Sequence, residues 1–482
     1  MRFPSPSRPY LLLALLLSLL LLAGCAKADA VFPSSKSAAV QSSSLSAASS
    51  SSVPVGSEAP ETSGEASSSS AVGSASMAAS SGVSVPADTS AAASMEQAAT
   101  AAPQLPAAEP VVQEGEMRAV WISYYELDGR GKTADQFADM IGGMFDKIKG
   151  MGLNTVVVHV RANSDAFYPS SYFPWSEYAA GQQGQNPGYD PLNILIEAAH
   201  ERGLAFHAWL NPYRVSNKTD DPMELAENNP ARVYLTDGDP SNDSWAIPWD
   251  GGMYYNPGVV EMQKLILDGV REILDNYDVD GIHFDDYFYP TSDPAFDAAT
   301  YAAYAEKAGN NALSLGDWRR ANVNSLMQAV YRLADSRGVP FGISPSAHIS
   351  NDGSDRNYQE LYADIALWMR EGGYAHYITP QLYFGFQYPK ADFRFDNLLN
   401  QWLSLPRAEG VRLYVGLAAY KIGTEDAGST EWQESEDILS RQLSLLRQAE
   451  TDGFMLYSYG SIVSSAALNQ AHMQAFEDVL QS

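Results

Sequence analysis

Residues 115–482 of the 482-residue chain are predicted to fold as a (β/α)8 barrel. Three observations predict it. Short β-branched runs alternate eight times with longer amphipathic stretches, the pattern of a parallel sheet joined by crossover helices. The first run is not followed by the glycine-rich phosphate turn that an open doubly wound sheet needs. The residues just past each run are unusually polar and aromatic, and that end of the strands is where such a barrel keeps its site.

The elements follow in order. A first strand is expected at 117–124 and a helix at 133–149. Strand two (LNTVVVHV, 153–160) precedes a helix at 191–202, and strand three (204–210) precedes a helix at 257–276. Strand four spans 279–285 and leads to a helix at 319–337. Strand five (339–345) is followed by a helix at 361–370, strand six (376–383) by a helix at 395–403. Strand seven (411–418), a helix at 431–449, strand eight (453–457) and a last helix at 464–480 complete the count. Closing eight parallel strands leaves no edge exposed.

The N-terminal region reads differently. Arg2 and Arg8 precede an apolar run from Tyr10 to Ala23, and Leu22-Ala23-Gly24-Cys25 follows the lipobox order. The run is shorter than the roughly 20 apolar residues of a membrane span and has the layout of a secretory signal. We therefore expect a signal peptide over 1–24 and a lipid on Cys25, the single cysteine of the chain. Residues 25–114 are dominated by Ser and Ala with no sustained period. Such a composition buries too little apolar surface to offset chain entropy, so it is expected to be a disordered tether. Localisation at the outer face of a cell membrane, held by a lipid anchor only, follows from these expectations.

With one cysteine there is no disulfide, so a core must hold the fold. A formal net charge of -28 disfavours nucleic acid as a partner, because phosphate binding needs clustered Lys and Arg.

The strand ends carry the chemistry. They supply Tyr124 and Glu126; Arg161 with Asp165 beyond; Trp209, Asn211 and Arg214; His283, Asp285, Asp286 and Tyr287; and Gln381 and Tyr383. Aromatic faces among amide, hydroxyl and carboxylate groups suit a sugar, whose C–H faces stack while its hydroxyls hydrogen-bond. The sharpest element is Asp280-Gly281-Ile282-His283-Phe284-Asp285-Asp286-Tyr287. Alternation puts His283 and Asp285 on one side of the strand and Phe284 and Asp286 on the other. Adjacent carboxyls at a strand end can be pushed to different pKa values, one ionised and one protonated, as glycoside hydrolysis requires.

The order of motifs resembles the glycosyl hydrolase-like family 10 of bacterial envelope proteins. The matching stretches are Met117-Arg118-Ala119-Val120-Trp121, Val158-His159-Val160-Arg161 through Ser170, Tyr189-Asp190-Pro191-Leu192 and His207 through Arg214. They continue with Asn256-Pro257-Gly258, Asp280 through Pro290, Gly342-Ile343-Ser344-Pro345 and Pro380-Gln381-Leu382-Tyr383. The resemblance implies a TIM barrel and, from one branch, hydrolysis of peptide-free peptidoglycan strands. Ala162-Asn163, Ser346-Ala347-His348 and Phe384 depart from the family's usual residues. These departures leave the carboxylates intact and bear on the shape of the sugar subsites.

Two mechanisms are open at this stage. In one, Asp285 is nucleophile or base and Glu126 the acid. In the other, a substrate N-acetyl group attacks its own anomeric carbon while Asp285 and Asp286 divide the remaining work, helped by Tyr383. Tyr124, Arg161, Asp165, Trp209, Asn211, Arg214, His283, Tyr287, Gln381 and Tyr383 are expected to bind or position sugar. The alternative function is a non-catalytic glycan-binding surface lipoprotein. A metal-dependent deacetylase would draw on His159, His207 and His283, but no close His-x-His or Asp-x-His pair is present, so neither metal nor cofactor is expected. One expectation is testable on the anchor: Cys25→Ser should move the protein from the membrane fraction to soluble export. Unchanged partitioning in detergent-free extracts would contradict lipidation.

Overall fold

The computed structural model describes residues 115–350 and 353–482. The expected signal peptide, Cys25 and the Ser/Ala-rich segment lie outside the described residues.

Eight parallel strands close into a barrel in sequence order. They are β1 Met117–Ile122, β2 Thr155–Arg161, β3 Ala205–Leu210, β4 Gly281–Phe284, β5 Phe341–Ile343, β6 Tyr377–Ile378, β7 Arg412–Ala418 and β8 Gly453–Tyr457. The helices that follow them are α1 Ala134–Gly150, α2 Pro191–His200, α3 Val260–Asn276, α4 Leu315–Asp335, α5 Ile365–Glu371, α6 Phe395–Leu403, α7 Ile438–Gln448 and α8 Ala467–Gln481. β1 seals the barrel by pairing Val120 with Leu456 of β8 on one side and with Val156 of β2 on the other.

Strand periodicity separates two cores. Val120, Ile122, Val156, Val158, Phe206, Ile282 and Phe284 point outward and pack with helix residues such as Phe137, Ile141 and Phe145. The alternate residues Met117, Ala119, Trp121, Val157, Trp209, Tyr377, Tyr414 and Met455 form a second cluster inside the barrel. Large rings fit inside because neighbouring strands offer glycine. A Cβ on Gly281 would press on the His207 imidazole, and one on Gly342 would overlap the Tyr377 ring.

The helices start where local chemistry satisfies their free N–H groups. Thr133 and Gln136 form a reciprocal capping box on α1, and Asp190 caps α2 with Pro191 in the first turn.

Several expected boundaries shift for visible reasons. The strand expected at 376–383 is laddered only at Tyr377–Ile378, because Pro380 has no N–H to donate; Gln381 rejoins through single bridges to Ser346 and Gly416. The strand expected at 339–345 is bounded by Pro340 and Pro345. The helix expected at 431–449 is two helices, Glu431–Glu434 and Ile438–Gln448. Sequence patterning missed an antiparallel three-stranded sheet in the β3–α3 connection, made by Arg214–Ser216, Gly252–Tyr255 and Ala246–Trp249. Three-residue and four-residue strands are too short to show alternation. This sheet matters because it fixes Arg214.

The barrel packing gives a direct test. Gly342→Ala should destabilise the fold by about 1–3 kcal/mol, typical of overpacking, and lower its thermal midpoint. An unchanged midpoint would show that the Tyr377 ring yields without cost.

Candidate active site

A cavity of about 580 Å³ opens at one end of the barrel, lined by residues including Met117, Asp280, Arg337, Tyr377 and Arg412. These residues precede or begin their strands, so this is the N-terminal face. The site-bearing end of a parallel barrel is the opposite one. There the side chains singled out from the sequence gather around β4.

Asp285 follows the last residue of β4 and is only 3% exposed. Its Oδ2 accepts from Trp209 Nε1 at 3.1 Å and from Asn211 Nδ2 at 3.3 Å, and its Oδ1 accepts from the Tyr287 backbone N–H at 3.3 Å. Burial pushes its pKa up to about 7; the Arg214 guanidinium and the hydrogen bonds oppose this, and the neighbouring Asp286 charge adds to it. Asn211 also accepts from the Arg214 backbone N–H at 3.0 Å, so one amide sets both the carboxyl and the arginine. Arg214 donates to the Ala162 carbonyl at 3.0 Å and lies over the Tyr287 ring.

Asp286 is half-buried on the other side of the strand end. Ser346 Oγ donates to it at 3.3 Å. Burial raises its pKa, opposed by Arg356 and by hydrogen bonds from Gln381 and Ser346. Gln381 also donates to the Ser344 carbonyl at 2.8 Å, which ties β6 to β5 below the carboxyl. Burial pushes the Tyr383 pKa well up, and the neighbouring Tyr457, Tyr420 and Asp286 add to it, so it carries its proton.

A ladder of rings braces this pair from the β1–β3 side. Trp209 stacks on His159, centroids 3.6 Å apart and 9° from parallel, and His159 meets the edge of Tyr124 at 5.4 Å. Burial, then the charges of Arg214 and Arg161, hold His159 far below its usual pKa and therefore neutral. With one face on His159 and 7% exposure, Trp209 orients Asp285 through its N–H.

Under the site a hydrogen-bonded chain runs down the barrel axis. Trp121 Nε1 can only donate, so its 3.3 Å contact makes His283 Nε2 an acceptor and puts the His283 proton on Nδ1. Nδ1 then donates to the Tyr377 hydroxyl at 3.1 Å, and that hydroxyl donates to His207 Nδ1 at 2.9 Å. Burial depresses the pKa of His283 well below the usual value and that of His207 to about 4, so both rings are neutral supports.

Glu126, Arg161, Asp165 and His283, also named from the sequence, make no hydrogen bond to the pair. Glu126 sits after β1, where its Oε2 accepts from the Ser123 N–H at 2.7 Å and its Oε1 from Ser458 Oγ at 3.2 Å and the Gly460 N–H at 2.6 Å. Arg161 is fully buried, its guanidinium 4.7 Å from the Phe173 centroid and its nitrogens without a protein hydrogen bond. Asp165 is buried beside Gln183, and burial raises its pKa to about 6. His283 has both ring nitrogens engaged by protein groups.

Sequence reasoning missed Ser346 and Arg356 as partners of Asp286 and His159 as the support of Trp209. Position just past a strand end could have signalled Ser346. Arg356 comes from a separate short helix, Arg356–Gln359, and carries no such signal.

An eight-stranded parallel barrel with adjacent carboxyls at the C-terminal end of its fourth strand is the class that fold and site define. The chain belongs to the family described as Glycosyl hydrolase-like 10, which it matches over residues 116–434. It is 38% identical over 355 residues to "Glycosyl hydrolase YngK" of Bacillus subtilis (strain 168), covering 70% of this chain and 66% of that protein. It is 37% identical over 321 residues to "Glycosyl hydrolase DigH" of Escherichia coli (strain K12), covering 62% of this chain and 70% of that protein.

Proposed function

We propose that the protein is a glycoside hydrolase acting on an N-acetylated cell-wall glycan of the peptidoglycan type, held at the outer face of the membrane by a lipid on Cys25. The observation that carries the catalytic reading is the Asp285–Asp286 pair. Its members sit in unlike environments, and the pKa of Asp285 is raised to about 7. A carboxyl that keeps its proton near neutrality can protonate a leaving oxygen. Family membership and the printed names of the similar proteins support the same reaction class.

In this reading Asp285 is the general acid. As the glycosidic bond breaks, the Asp285 proton passes to the departing oxygen and the bonding electrons go with that oxygen. The acetamide oxygen of the same sugar bonds to the anomeric carbon from the opposite face. Asp286 accepts the acetamide N–H, and the Tyr383 hydroxyl donates to the acetamide oxygen. Water then opens the cyclic intermediate, giving its proton to Asp285. Arg214, Asn211 and Trp209 hold Asp285 in place, and Tyr287 and Gln381 line the same side.

The rival scheme, with Glu126 as acid, is less favoured: the donors on Asp285 belong to the strand ends around the pair, whereas those on Glu126 join the loop after β1 to the loop after β8. That arrangement suits a clamp.

The test is reducing-end release from peptide-free peptidoglycan strands. Asp285→Asn and Asp286→Asn should each cut turnover at least roughly a hundredfold with folding intact, whereas Glu126→Gln should cost far less. An essential Glu126 with a dispensable Asp286 would favour the rival scheme. A wild-type protein that binds strands and never cleaves them would leave only a glycan-binding lipoprotein.

A further inference from the structure

At the C-terminal ends of four neighbouring strands of the barrel, β6, β7, β8 and β1, or in the segments just after them, stand tyrosines: Tyr383, Tyr420, Tyr457 and the Tyr124-Tyr125 pair. Three of these rings form one contact set. Tyr383 lies 5.7 Å from Tyr420 and 5.8 Å from Tyr457, and Tyr420 lies 5.8 Å from Tyr457 and nearly perpendicular to it. Tyr124 meets Tyr125 edge-on at 5.4 Å. Among the described residues only three aromatic side chains are strongly exposed, and two of them belong to this arc: Tyr125 at 39% and Tyr420 at 44%.

Single exposed aromatics are ordinary on a protein surface. Two on the rim of one barrel mouth, backed by further tyrosines that lead to Asp286 through Tyr383, are not scattered. The loops that carry them are also held fixed. Glu126 ties the loop after β1 to the loop after β8, and the Tyr457 hydroxyl lies 3.2 Å from Ser123 Oγ. Lys421, next to Tyr420, is paired with Asp426 at 2.6 Å. Fixed rings with an exposed apolar face and a hydroxyl edge match a pyranose, whose C–H face stacks and whose hydroxyls accept and donate hydrogen bonds.

We propose that Tyr125, Tyr420 and Tyr457 form a stacking subsite for a second sugar ring of the same glycan chain. The inference rests on the glycan-hydrolase reading and adds to it that binding energy is drawn from a neighbouring residue of the chain. The subsite lies on the β7–β8–β1 side of the mouth, so the chain crosses the opening from the carboxyls toward that rim. Glu126 is then a positioning residue for this wall.

The experiment uses the full-length protein carrying Asp285→Asn, titrated with β-1,4-linked N-acetylglucosamine dimer and pentamer. The pentamer should bind more tightly than the dimer. Adding Tyr125→Ala and Tyr420→Ala should weaken pentamer binding by roughly twofold to tenfold per ring and shrink its advantage over the dimer. Tyr420→Phe, which keeps the ring face, should retain most of that advantage. A pentamer-to-dimer ratio unchanged by the double alanine variant would overturn the subsite, as would a pentamer that binds no better than the dimer at the start. Equal losses from Tyr420→Phe and Tyr420→Ala would also overturn stacking. Failure of both oligomers to bind the Asp285→Asn protein would instead contradict the glycan reading beneath it.

Discussion

Burial of the Asp285 carboxyl is the constraint on which the rest of the site depends. A carboxyl at 3% exposure is costly to ionise, and the protein answers with three hydrogen-bond donors, one nearby arginine and one nearby aspartate of opposing effect. Each of these partners is itself fixed. Trp209 is flat on His159, Asn211 is bonded to the Arg214 backbone, and Arg214 belongs to the small antiparallel sheet. A donor free to swing would leave the carboxyl unpaired, at a cost of about 1–3 kcal/mol.

The same constraint accounts for the polar barrel interior. Here Trp121, His283, Tyr377 and His207 form a chain in which each proton has one place to go, because the tryptophan can only donate. Both histidines stay neutral, so the chain adds no charge beneath the carboxyl pair. Glycines on β4 and β5 make the chain possible by leaving room for the His207 and Tyr377 rings.

Much of this was legible in the sequence. Alternating β-branched runs located all eight strands, and Asp280 through Tyr287 pointed to the carboxyl pair with His283 and Asp285 on one face. What stayed hidden had physical reasons. Strands of three or four residues, as in the β3–α3 connection, carry no period. Prolines 340, 345 and 380 shortened the ladders of β5 and β6. Residue type alone could not separate Glu126, whose oxygens bond the loops after β1 and β8, from Asp285, which is buried among Trp209, Asn211 and Tyr287. Arg161 ends β2 and Asp165 follows it, as a binding residue would, and both are buried, Arg161 against Phe173 and Asp165 beside Gln183.

The central claim is that Asp285 acts while holding its proton. The most direct test is the pH dependence of kcat/KM on peptide-free glycan strands. With a pKa raised to about 7, the protonated form is lost as pH rises through that value, so kcat/KM should fall along a basic limb with its midpoint near 7. A rate that instead climbs through pH 7, as an ionised Asp285 acting as base would give, contradicts the account.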